Sequence, residues 1–179
     1  MSYTSTHHPG LALGGVFLAL FGGTWLAGAS YQYAGPSVPL LAAVVLLSLL
    51  LAGWAVRTFR ARRRGCTAPQ DPAVRQRVRR GLIAVNAVQW TSIGVAIVLL
   101  NATGHAGWIM PCVVLVVGIH FFPLGRLFRY RGYYVTAAAL VLVALLYMAA
   151  GAGPQAAALT LFATGAILWA SAVALLRAV

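Results

Sequence analysis

Polar side chains are scarce in this sequence, and a few of them fall at spacings that would bring them together. Asn86, Gln89 and Trp90 stand at i, i+3 and i+4, so on a helix they share one face. His120 lies in a separate apolar run. Asn86 is six residues from Arg80, and His120 is six from Arg126. At a rise of 1.5 Å per residue, both sit about 9 Å inside the same boundary. Polar groups in hydrocarbon are costly and rarely face lipid, so Asn86, Gln89, Trp90, His120 and Arg126 form a candidate intramembrane polar cluster. Two kinds of hydrogen bonding are open to it. A His–Asn or His–Gln pair would hold two helices together, at about 0.6–2 kcal/mol per bond. Alternatively the group would bind a lipid headgroup or a small anion. Pro123 adds an acceptor to the second reading, because it has no N–H to give the carbonyl of Ile119.

Other chemistries lack their residues. There is no lysine for a Schiff base, and no carboxylate within an apolar run for a proton relay or paired-acid hydrolysis. His120 is the only histidine well inside a run; His105 is in a loop and His7 and His8 are in the N-terminal tail, which leaves haem without a pair of axial ligands. Cys66 falls in a basic connection and Cys112 in an apolar run, so neither a disulfide nor a metal site is expected. No cofactor and no catalytic residue follow. An enzyme acting on lipid, with His120 as base, would lack both an orienting carboxylate and a nucleophile.

The elements that must position these residues are legible in the hydropathy. Of the 179 residues, 61% are hydrophobic and 8% charged, against about 25% charged in an ordinary soluble domain. The apolar residues fall into six runs, each close to the roughly 20 residues that cross a bilayer. The reading is all-α: a polytopic membrane bundle of six transmembrane helices in one domain spanning 1–179, with helices at about 10–30, 37–57, 72–101, 107–128, 133–151 and 155–177. Asp71-Pro72 supplies an N-cap and a first-turn proline for the third helix.

Charge sets the orientation. All thirteen basic residues are arginine, there is one acid, and the formal net charge is +12. Nine arginines lie in the second connection, three (Arg126, Arg129 and Arg131) around the fourth, and Arg177 at the C-terminus. With six spans these places share one side. The positive-inside rule makes that side cytoplasmic, with both termini there. Arginine in place of lysine, with abundant Ala, Gly, Val and Leu, points to a GC-rich bacterial genome and hence to the cell inner membrane. The rival is a cleaved signal peptide, Leu11–Phe21 followed by Ala27-Gly28-Ala29, which would leave five helices; its n-region has no Lys or Arg. A basic chain can signal a nucleic-acid partner, but short loops between apolar spans explain the charge through topology and lipid. Arg57, Arg60, Arg75, Arg79, Arg80, Arg129 and Arg131 are the candidate contacts to anionic lipid headgroups, each contributing about 1 kcal/mol near the surface.

Gly15, Ala19, Gly23 and Ala27 make a small-residue stripe at four-residue spacing on the first helix, suited to close helix packing within the bundle or to a homo-oligomer. Ala158, Ala166, Ala170 and Ala174 make a similar row on the sixth, interrupted by Phe162. The second, fourth and sixth helices each close on an arginine-containing end, which leaves two readings open: three helical hairpins in series, related as parallel repeats, or arginine collecting at any helix end that faces the cytoplasm.

The string His120-Phe-Phe-Pro-Leu-Gly-Arg-Leu-Phe128, followed by Tyr133-Tyr134, resembles a segment of small bacterial integral membrane proteins of six helices. That resemblance covers about one hairpin and implies the six-helix fold, with no activity to carry over. The three-hairpin plan is also similar in architecture to the HdeD-like acid-resistance membrane proteins, without a shared motif. The function expected is non-enzymatic binding or transport of a lipid or small solute. The alternatives are an interaction protein acting through helix–helix oligomers and, last, a lipid-modifying membrane enzyme.

Overall fold

The computed structural model describes residues 9–65, 72–151 and 153–178. Asp71, Cys66, His7 and His8, and with them the N-cap reading of Asp71, lie outside the described residues. The described chain forms six α-helices: α1 (Pro9–Ala34), α2 (Val38–Gly65), α3 (Pro72–Ala102), α4 (Ile109–Phe128), α5 (Gly132–Ala150) and α6 (Pro154–Ala178), with a 3-10 turn at Ala106–Trp108 before α4. Five stretches are long and apolar enough to cross a membrane: Val38–Arg62, Pro72–Ala102, Ala106–Phe128, Gly132–Ala150 and Pro154–Ala178. The chain is a multi-pass, all-α membrane bundle. α1 is long enough at 26 residues; its part in a six-span count rests on the run Leu11–Ala29, of which the first side chains lie outside those described.

Helix ends follow backbone chemistry rather than the edge of the apolar runs. α1 continues through Tyr31-Gln32-Tyr33, where a loop was expected, and stops at Gly35, whose φ of +67° suits glycine, followed by Pro36. α2 runs on through Arg57, Arg60, Arg62 and Arg64 to Gly65, because arginine is a good helix former and no breaker precedes Gly65. Its arginines therefore stand on a helical extension instead of a loop. α3 ends in a Schellman motif: the amide of His105 donates to the carbonyl of Leu100 (2.7 Å), and Gly104, at φ +73°, donates to Asn101 (3.1 Å).

Every consecutive pair of helices packs except α2 with α3, and α1 packs extensively on α6. The neighbour order is therefore α2–α1–α6–α5–α4–α3, an antiparallel series with α2 and α3 as its two edge helices. The three expected hairpins exist as packed pairs, but the third sits between the first and the second. Of the five apolar stretches, that of α6 is the most enclosed, 39% buried, and that of edge helix α3 the least, 6% buried. Antiparallel neighbours bring the arginine-bearing ends of α2, α3, α4 and α6 to one end of the bundle.

The stripe Gly15, Ala19 and Gly23 is buried, and Ala27 is half-buried. It is occupied inside the bundle. A Cβ on Gly15 would sit 3.2 Å from the Leu176 side chain and 3.4 Å from Ala55, and one on Gly23 would strike Ser48 of α2. The backbones of α1 and α6 approach at Gly22 and Gly165, where a Cβ on Gly165 would stand 2.8 Å from the carbonyl oxygen of Gly22. On α6 the buried face is Thr160, Thr164, Gly165, Leu168, Ala172 and Leu175. The alanine row is offset from it, with Ala170 and Ala174 exposed. The continuous core joins Leu18 of α1, Val114 and Phe121 of α4, Leu140 of α5 and Leu168 and Leu175 of α6.

Candidate functional site

The residues of the expected polar cluster converge only in part. On α3 the packed face is set by Val78, Leu82, Val85 and Ile93. Gln89 lies on that face, half-buried, at helical spacing between Val85 and Ile93, while Asn86 and Trp90 are turned outward. Trp90 is 57% exposed. Asn86 donates its Nδ2 to the carbonyl of Leu82, one turn back on its own helix, at 2.9 Å. On α4, His120 is half-buried, with its ring against the backbone of Val85 on α3. Its Nδ1 is buried with no hydrogen-bond partner among the described residues. Arg126 is exposed. The geometry is that of a histidine wedged between two helices against the Val85 main chain, with Gln89 on the same packed face and Asn86 turned away.

Pro123 lies within α4 without ending it. The freed acceptor belongs to Ile119, whose side chain is 53% exposed on the outer surface. The rest of the His120–Phe128 string serves packing. Tyr133 of α5 is buried among Phe121 (ring centroids 5.6 Å apart), Phe128 (6.2 Å) and Tyr130 (5.2 Å, edge-on). Phe122 meets Tyr134 at 6.2 Å. Gly125 is glycine because the Tyr134 ring lies where its Cβ would be, at 2.9 Å. The turn between α4 and α5 places Arg129 at φ 52°, ψ 34°, a left-handed conformation that disfavours a residue with Cβ. Burial pushes the phenol of Tyr130, in this turn, above its ordinary range.

Interhelical hydrogen bonds not anticipated from the sequence hold α6 in place. Trp169 Nε1 donates to the carbonyl of Ala19 on α1 at 2.9 Å. The hydroxyls of Thr136 on α5 and Ser171 on α6 share a hydrogen bond of 2.7 Å. Isolated Thr, Ser and Trp in apolar runs carry no spacing signal, so only the fold pairs them. No group of three or more His, Cys, Asp or Glu among the described residues is placed to hold a metal, and Cys112 is a free, half-buried thiol.

No family model, curated protein or solved structure matches the chain. The functional reading rests on its own surfaces.

The surface with the strongest chemical character is the arginine-bearing end. Arg57, Arg60 and Arg64 on α2 and Arg75, Arg77, Arg79 and Arg80 on α3 are all exposed. They stand on the two edge helices of the bundle. Arg126, Arg129 and Arg131 extend the basic surface along α4 and its turn. Among the described residues no acidic side chain pairs with any of them, because the one acid of the sequence is Asp71.

Proposed function

We propose that this chain is a non-enzymatic bacterial inner-membrane protein that binds anionic lipid at its cytoplasmic side, with both termini cytoplasmic. One observation carries the reading. The two helices left without a neighbour on one side, α2 and α3, are the two that continue beyond their apolar runs as arginine-bearing helices. Unpaired arginines on helices at headgroup depth are attracted to anionic lipid by about 1 kcal/mol each. The apolar outer faces of the same two helices would meet acyl chains. The packing of His120 against Val85 supports helix pairing of α3 with α4 better than solute binding, so lipid binding moves from that pair to the edges of the bundle. The small-residue face of α1 is occupied by α2 and α6, so a homo-oligomer would use another face.

The test is native mass spectrometry of the full chain from nanodiscs containing equal anionic and zwitterionic phospholipid. Selective retention of the anionic lipid is expected. Equal retention of both lipids would refute the reading.

A further inference from the structure

The outer surface of α2 carries a shallow open groove lined by Leu49, Leu50, Gly53, Trp54 and Arg57. These residues recur every three to four positions and so share one helical face. The groove exists because Gly53 has no side chain. A Cβ built there meets nothing within 4 Å, so the floor is bare backbone, with the leucines toward one end and the indole and guanidinium toward the other. Leu49, Leu50 and Trp54 are 58%, 60% and 41% exposed, and α2 is an edge helix, so no other described helix covers them. Arg57 stands about 6 Å along the helix from Gly53, toward the arginine-bearing end.

The lining is apolar over most of its length and cationic at one end. That order fits an amphiphile with an acyl chain and a phosphate. An indole is suited to headgroup depth, and a guanidinium can hold two phosphate oxygens at once. A small soluble anion would find only one charged partner here, and a lipid without net charge would make less use of Arg57. We propose that this groove is a specific site for one anionic glycerophospholipid, its phosphate on Arg57 and one acyl chain lying over Gly53 against Leu49 and Leu50. The inference rests on the lipid-binding reading and narrows it. The arginine-bearing edge helices gather anionic lipid in general, and the α2 groove seats one molecule.

The experiment compares four full-length proteins in nanodiscs of equal phosphatidylglycerol and phosphatidylcholine, read by native mass spectrometry. Gly53→Leu fills the groove without striking a neighbour. Arg57→Gln removes the charge and keeps a polar side chain. Gly94→Leu, on α3 where an added Cβ also meets nothing, controls for enlarging a lipid-facing glycine. The wild type and Gly94→Leu are expected to retain one phosphatidylglycerol. Gly53→Leu and Arg57→Gln should each lower that retained fraction by about fivefold, the change that loss of ~1 kcal/mol gives. Undiminished retention by either variant, with the wild type still selective, overturns the site and leaves the broader reading standing. A wild type that retains both lipids equally overturns the broader reading itself.

Discussion

The indole N–H of Trp169 on α6 donates to the carbonyl oxygen of Ala19 on α1, 2.9 Å away and 150 residues distant in sequence. The Trp169 ring occupies the space that a side chain on Gly22 would need. The first and last helices are thus joined by a hydrogen bond and by a glycine cut to the shape of a ring.

Trp169→Phe keeps most of the ring and removes the donor. It should lower stability by about 0.6–1.5 kcal/mol, the range for interhelical bonds in membranes. Trp169→Ala also leaves a cavity and should cost about 3–5 kcal/mol. Thermal unfolding in detergent reports both, and equal effects of the two substitutions would show that the bond, not the ring, dominates the contact.

Gly23 and Gly94 are both helical glycines, but only Gly23 has a neighbour in the way. Gly23→Leu forces α1 away from Ser48 of α2 and should abolish the monodisperse folded species in size-exclusion chromatography. Gly94→Leu faces open space and should elute as the wild type does. Similar elution of both variants would contradict the buried placement of Gly23.

Arg129 holds a left-handed backbone at φ 52°. Replacing it with glycine relieves a conformational cost of roughly 1 kcal/mol and should raise stability by about that amount. Arg129→Val should lower it, since a β-branched residue suits that conformation worst. Chemical denaturation of the purified protein checks the sign of each.

His120 and Asn86 sit at similar depth with different surroundings. His120→Ala removes a side chain wedged against Val85 and should cost about 1–2 kcal/mol by loosening α3 from α4. Asn86→Leu affects a side chain bonded only to its own helix and should stay within about 0.5 kcal/mol of the wild type. If Asn86→Leu proved the more damaging in thermal unfolding, the pairing of the two groups across the helices would be restored.

The comparison of His120 with Asn86 also shows what the sequence could and could not convey. Apolar run length located all the helices, because each crossing needs about 20 such residues. Runs do not fix ends. α2 outlasted its apolar segment because arginine continues a helix as well as leucine does, and α3 stopped where Gly104 permitted the Schellman turn. Depth was also legible, since Asn86 and His120 were each placed by a residue count from an arginine. Facing was legible only in part. Gln89, Asn86 and Trp90 span about 100° of α3, and packing of Val78, Leu82 and Val85 decides that the Gln89 edge of that arc meets α4. A nearly uniform apolar α2 hid Gly53. Its use as the floor of a groove depends on α2 being at the edge, a property of the whole bundle.

The neighbour order has a topological corollary. The helices α1 and α6, packed against each other near its middle, are the two ends of the described chain, and Gly15 lies beside Leu176. The two edge helices, α2 and α3, are consecutive in the chain. A circular permutant that began at Pro72, joined residue 178 to residue 9 through a short linker and ended at Gly65 would read its helices in spatial order from one edge to the other. In such a chain the two ends of the polypeptide would fall on the two edge helices, and every covalent connection would join helices that touch.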